Sequence, residues 1–298
     1  MMPMGQRKPT NIETPRWLPS NSGKGLGKTL VGDSPRDTPR PSYREFAPPR
    51  HLRKHVVCFW RHGPISMPTT VRVIPDGCVD VVWVNDHAPH IAGPMTKPML
   101  YSIDAGTEIA AVRLRPGVAH RLLGESAKAL LNQDVLLRDL WPGDRAAPWE
   151  VVIANQSERA KLAAIAEAIS TRLETDGESD DFVTQAAVWM ARHPLASLDQ
   201  LSGLSRLSER QIRRRFDEAI GYGPKKLQRI LRLQRLLWLT NQQPAPFASL
   251  AHLSFAAGYA DQSHMTREVV ALTGASPSHL LNGAINSAVS DLFKTAAA

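Results

Sequence analysis

The sequence predicts an α+β protein: a β-rich N-terminal region, barrel-like or a sandwich, followed by an all-α C-terminal region. Three observations lead there. Short runs of β-branched and aromatic residues, separated by turn residues, fill positions 45–115. Beyond an acidic, glycine-containing stretch, "ETDGESDD" at 174–181, the chain reads as helix throughout. Within that helical region a single pattern occurs twice: a short helix, a tight turn and a second, capped helix.

Residues 1–42 are rich in Pro, Gly, Ser, Lys and Arg and poor in apolar residues, which predicts a disordered basic arm. Within it "SGKGLGKTL" imitates a phosphate-binding loop. Ser22 stands where the first glycine belongs and no apolar strand precedes it, so nucleotide binding is not expected there. "HVVCFW" and "TVRVIP" read as strands. "CVDVVWVND" follows a Pro75-Asp76-Gly77 turn, and "EIAAVRLRP" follows an Ala-Gly-Thr turn. Several short strands with turns between them suggest a small barrel or sandwich. Residues 117–140 and 148–174 are expected to be helical, with "ERAKLAAIAEAISTRLE" the strongest run. The resulting division is an arm at 1–42, a β-rich unit with trailing helices at 43–175, a helical unit at 176–285 and a tail at 286–298.

The net charge of the 298-residue chain is +8, and its distribution is uneven. Between Leu195 and Gln242 ten Lys/Arg stand against four acids, an excess of +6 within 48 residues. Such a concentration calls for an anionic partner. No apolar run approaches the ~18 residues of a membrane span, and no apolar segment follows the N-terminal basic residues as in a secretory signal. Cys58 and Cys78 form no C-x-x-C pair and no disulfide framework, which fits a reducing cytosol and a cytoplasmic protein.

In the helical region Ser197 can cap "LDQLSGLS" and Ser208 can cap "ERQIRRRFDEA". On a helical wheel Ile212, Phe216, Ala219 and Ile220 form the buried stripe. Arg210 and Arg214 fall opposite it, Arg213 lies on one flank, and Arg215 lies close to the core edge on the other. Arg215 is therefore expected to pair with an acid or a phosphate rather than read a base. Gly221-Tyr222-Gly223 stops the helix and Pro224 suits the first turn of the next, a spine of about 17 residues and roughly 25 Å. After a Pro244-Ala245-Pro246 break the pattern returns. "FASLAHLSFAAG" is followed by a turn and a helix capped by Asp261, with Met265, Val269 and Leu272 inward. Arg210, Arg213 and Arg214 correspond to Ser263, Thr266 and Arg267, 53 residues later.

"LSERQIRRRFDEAIGYGPKKLQRILRLQR" and "GYADQSHMTREVVALTGASPSHLL" resemble the DNA-binding domain of the AraC/XylS-type transcriptional regulators over about 180–283. The Gly-Tyr-x-Asp-Gln-Ser-His block and the following Gly-x-Ser-Pro are the specific part. The resemblance implies an all-α, seven-helix tandem helix-turn-helix domain that sets two reading helices in successive major-groove segments, about 34 Å apart. Carried over, the base-reading residues are Arg210, Gln211, Arg213 and Arg214 in the first unit, and Gln262, Ser263, His264, Thr266 and Arg267 in the second. Arg suits guanine O6/N7 and Gln suits adenine N6/N7. Ser208, Lys225 and Lys226 are the implied phosphate contacts. His264 is as readily a local hydrogen-bonding residue. The family often has an aromatic residue at Val269 and a basic one at Val270, so a less firmly packed second unit is expected. The partners implied are double-stranded DNA, a small-molecule effector and RNA polymerase, with no membrane, for a monomeric or homodimeric transcription activator.

"RVIPDGCVDVVW" and "VRLRPGVAHRLLG" resemble a domain fused to one subgroup of these regulators, which implies a β-rich sensor or dimerisation module over about 45–140. Arg113 and Arg115 alternate along a strand and are candidates to hold an anionic ligand, or else a neighbouring carboxylate. An alternative reading is an enzyme acting on DNA or a small molecule, centred on Cys78 or on the Asp76/Asp80 pair. DNA-repair methyltransferases can carry a similar helix-turn-helix domain beside a reactive cysteine. Cys78, however, lies in an apolar run without accompanying ligand cysteines, which favours a buried thiol. No catalytic residue, metal or cofactor is expected.

Overall fold

A computed structural model describes residues 43–141, 149, 158–174, 182–193, 195–242 and 249–281. The expected arm, the linker at 175–181 and the C-terminal tail lie outside the described residues.

The strands are β1 (Arg44–Phe46), β2 (Val56–His62), β3 (Thr69–Val73), β4 (Val79–Val84), β5 (His90–Ala92), β6 (Met99–Ile103), β7 (Ile109–Leu114) and β8 (Asp134–Leu136). Six of them form an antiparallel sheet in the order β1-β2-β7-β4-β5-β8, and β3 pairs with β6 in a separate ribbon. The four runs read as strands in the sequence are β2, β3, β4 and β7. Period-two alternation divides the sheet into two faces. Phe59, Val81, Trp83, Val112 and Leu114 pack against α1 (Ala119–Leu123), α2 (Leu137–Leu140) and α3 (Glu158–Glu174), through Leu122, Leu137, Ile165 and Ile169. Cys58, Trp60 and Ala111 on the opposite face meet Val71, Val73 and Ile103 of the ribbon. Each fully buried Val, Leu, Ile or Phe side chain among these contributes about 1.5–3 kcal/mol.

The expected helix over 117–140 is corrected. Only five residues form α1, which ends at Gly124 in the left-handed region (φ 72) with its N–H bonded to His120 O. The chain then turns and enters β8. Hydrogen bonds from distant backbone decide this: Asn132 N to Pro94 O (2.9 Å), Gly93 N to Gln133 O (2.9 Å) and Thr96 N to Asn132 Oδ1 (2.8 Å). Tertiary pairing overrides a helical pattern of this length.

Among the described residues seven helices follow: α4 (Phe182–Arg192), α5 (Leu198–Ser205), α6 (Glu209–Ala219), α7 (Pro224–Gln242), α8 (Leu250–Ala257), α9 (Gln262–Thr273) and α10 (Pro277–Leu281). They share one core, in which Ile212, Phe216, Ile230, Leu233, Leu236, Met265, Val269 and Leu272 are buried. The spine α7 has 19 residues, or about 28 Å at the α-helical rise. Hydrogen bonds join the β-rich domain to the helical domain. Ala127 N donates to Glu218 O (2.8 Å), Gln234 Nε2 to Pro75 O (2.8 Å) and Arg72 Nη1 to Thr273 O (3.2 Å). Among the described residues no helix is long and apolar enough to cross a membrane.

Candidate nucleic-acid interface

Helix α6, the first of the two expected to read DNA, begins at a capping box. Ser208 Oγ accepts from Gln211 N (3.3 Å), and Gln211 Oε1 accepts from Ser208 N (2.9 Å) and Ser208 Oγ (2.9 Å). The same device starts α5, with Ser197 and Gln200. Such caps satisfy backbone N–H groups that a helix start leaves open. Ser208 and Gln211 thus serve the helix start with the groups expected to meet DNA.

The arginine run divides as its spacing predicts. Arg210, Arg213 and Arg214 are exposed while Ile212 and Phe216 are completely buried. Arg213 pairs with Glu209 one turn back (3.4 Å), a solvated pair that opens at little cost. Arg215 is half-buried, its guanidinium 5.6 Å from the centre of the Phe182 ring. That is the core-side placement expected, with an aromatic face at hand. Lys225 is exposed at the start of α7. Beside it Lys226 is half-buried, and burial and then Arg229 lower its pKa.

In the second unit Asp261 Oδ1 accepts from His264 N (2.6 Å) and caps α9. Gln262, Ser263 and Arg267 are exposed, and Thr266 Oγ1 donates back to Gln262 O (2.9 Å). His264 sits apart from them. Its Nδ1 accepts from Ala260 N (3.3 Å), its Nε2 lies 3.2 Å from Glu268 Oε1, and its ring packs edge-on against Tyr259. Of the two roles open to His264, the local one has geometric support.

Glu268 was not singled out in the sequence. It is buried, and Arg232 Nη2 donates to both its oxygens (3.1 and 3.0 Å), with Arg229 Nε 2.9 Å from Oε1. These contacts fasten α9 to the spine. Together with the complete burial of Val269, they give the second unit firm packing where the Val269 and Val270 departures predicted looser packing. The signal was available: a glutamate four residues after His264, with arginines three apart on the spine.

In the β-rich domain, Arg113 and Arg115 separate. Arg113, on the central strand β7, is 1% exposed and lies opposite Asp80 of β4. Its Nε donates to Asp80 Oδ1 (3.0 Å) and its Nη2 to Asp80 Oδ2 (2.9 Å), with Nη1 3.6 Å from Asp76 Oδ2. Trp60 Nε1 completes Asp80 (3.1 Å). Burial opposes the charge of Arg113, but Asp80 and then Asp76 outweigh it and hold its pKa well above its ordinary value. Arg115 lies past the end of β7, where its Nε donates to Arg53 O (2.9 Å). Asp76 accepts from Cys78 N (2.9 Å) in the turn, and burial raises its pKa. Burial and then Asp76 push the Cys78 thiol well up, so little thiolate is present near neutral pH.

Two helix-turn-helix units on one spine, behind a β-rich domain, define the class of DNA-binding transcription regulators. In particular, residues 201–283 match the family described as a helix-turn-helix domain, and this domain is of the AraC type. Residues 44–136 match a family described as Domain of unknown function (DUF6597). No curated protein sequence matches the chain significantly. Among solved structures, the chain is similar to ToxT from Vibrio cholerae O395, at 12% identity and a TM-score of 0.43, over 81% of this chain and 97% of that one. A crystal structure of ToxT from the same strain, bound to (E)-4-(8-methylnaphthalen-1-yl)but-3-enoic acid, gives 14% identity and a TM-score of 0.43 over 81% and 98%.

Proposed function

We propose that the protein is a sequence-specific regulator of transcription whose two helix-turn-helix units read successive major-groove segments on one face of double-stranded DNA. Arg210, Arg213 and Arg214 read bases in the first segment, and Gln262, Ser263, Thr266 and Arg267 in the second. Lys225, Lys226 and the backbone N–H groups at the helix starts hold phosphates. Residues 43–175 form the sensing or dimerising domain and 176–285 the reading domain of a cytoplasmic protein, with a small-molecule effector acting on the former.

One observation carries this reading. At matched positions 53 residues apart, two capped helices expose Arg210, Arg214 and Ser263, Arg267 while burying the stripe behind them. Selection from a random DNA pool tests it. Enrichment of two short motifs with centres about 10–10.5 base pairs apart is expected, and a pool that shows no enrichment at low salt refutes it. On the selected site Arg213→Ala or Arg214→Ala is expected to lose about 1–3 kcal/mol if the arginine is bidentate to guanine. A loss of equal size on every sequence reassigns that arginine to phosphate.

A further inference from the structure

DNA reading leaves a large cavity in the β-rich domain unused. It encloses about 310 Å³ between the sheet face that carries Trp60 and Arg113 and the ribbon that carries Val71 and Tyr101. Small-molecule sites begin at about this size. Its ionisable lining is unbalanced: Asp76, Asp80, Asp104 and Asp134 stand against Arg113, together with two histidines.

We propose that this cavity takes a small organic cation, an ammonium group on an apolar or aromatic body, with the ammonium seated on Asp76. The proposal rests on the reading that an effector acts through the β-rich domain, and it names the effector's class. An anion finds no host here, because the fork of Arg113 already holds Asp80 through Nε and Nη2. An anion placed near it would face the carboxylates of Asp76 and Asp80. Asp76 is different. Its side chain is 10% exposed, and its Oδ2 lies 3.6 Å from Arg113 Nη1, beyond hydrogen-bond reach. That oxygen keeps accepting capacity, and Asp76 lines the cavity. A buried carboxylate of this kind is stabilised by a cation that leaves water with it. Trp60 and Tyr101 are also in the lining, and an aromatic ring attracts a cation placed over its face.

The wall of this site is also the contact with the DNA-reading domain. Val71, Val73, Asp76 and Cys78 line the cavity. Between them Arg72 reaches Thr273 O at the end of α9, Pro75 O accepts from Gln234 of α7, and a Cβ at Gly77 would lie 3.2 Å from Leu227 of α7. A single layer of chain separates the cavity from α7 and the end of α9, so a ligand that shifts Asp76 also shifts what α7 and α9 rest on. The buried Tyr222 Oη and Gln234 Oε1 at this seam lack hydrogen-bond partners among the described residues. A moved turn can supply one.

Calorimetric titration of the full chain with phenethylammonium, hexylammonium and agmatine, against phenethyl alcohol and hydrocinnamate, tests the proposal. At least one cation is expected to bind below about 1 mM, with the alcohol ~10-fold weaker and the carboxylate weaker still. Asp76→Asn, shown folded by its thermal melt, should bring that cation to the level of the alcohol. The proposal is overturned if no cation binds up to about 10 mM. It is also overturned if the carboxylate binds as tightly as the cations, or if Asp76→Asn keeps cation affinity. In the same preparations a saturating cation is expected to move affinity for the selected DNA by about 5-fold or more. Unmoved DNA affinity overturns the coupling and leaves DNA reading intact, whereas a chain that selects no DNA at all refutes the regulator reading independently.

Discussion

Replacing Glu268 with alanine removes the anchor between α9 and the spine. The carboxylate takes two hydrogen bonds from Arg232 Nη2, at 3.1 and 3.0 Å, and sits 2.9 Å from Arg229 Nε. Charge-assisted hydrogen bonds contribute about 1.5–3 kcal/mol each, and breaking a buried pair from one side costs about 3–5 kcal/mol. Arg232 is 9% exposed and cannot rehydrate in place. The Arg229 side chain is one-third exposed and can turn to water, which lowers its share. The net expectation for Glu268→Ala is a loss of about 3 kcal/mol, read as a shift in the urea midpoint at unchanged slope. Glu268→Leu combined with Arg232→Met should regain most of it, because a buried pair exchanged for apolar residues of similar volume is close to neutral. A loss below about 1 kcal/mol for Glu268→Ala, or no recovery in the double variant, refutes the account of a buried, uncompensated charge.

Other expectations follow from single features. Arg206 ends α5 in the left-handed region (φ 58) where the second unit has Gly258 (φ 91). Arg206→Gly should therefore stabilise by about 0.5 kcal/mol, the relief of strain being partly offset by unfolded-chain entropy; a destabilised variant in urea titration counts against the strain. The Cys78 thiol, raised by burial and Asp76, should react with a maleimide about 100-fold more slowly in the native than in the urea-unfolded chain, and fast native labelling reopens the enzyme reading. Burial raises the pKa of Asp76 from its ordinary 3.8, so the native state holds that proton more tightly than the unfolded chain does. Ionisation then weakens the fold; the effect is absent below the unfolded value and grows as pH rises through the native one. The stability of Asp76→Asn relative to the native chain should increase as the pH rises above the ordinary carboxyl value of 3.8, and a constant difference in urea titrations refutes the burial account.

The helical domain was largely legible because its signals are local. Ser197, Ser208 and Asp261 cap their helices, Gly221 and Pro224 mark a stop and a start, and the spacing of Ile212 and Phe216 sets the orientation of four arginines. In the β-rich domain the legible strands were the runs rich in β-branched and aromatic residues, as in β2 and β4. Strand β8 was hidden, because "DVLL" fits a helix until Gly93 and Pro94 supply hydrogen bonds from some 40 residues away. Glu268 was missed for a similar reason: its meaning lies in Arg229 and Arg232 of a different helix. Arg113 and Asp80 are 33 positions apart, and their pairing depends on strand register.

Both reading helices hang from one unbroken helix, and α9 is fastened to it by Glu268. If both helices read DNA as proposed, the protein measures distance as well as letters. One base pair inserted between the two half-sites turns the far one by about 35° around the duplex axis and carries it roughly 3.4 Å along it, while the spine offers no joint to follow. Operator variants that keep every contacted base but change the gap should fail as completely as those that change the bases. Drift in an operator's spacing is thus as much a route to losing control of a promoter as drift in its sequence.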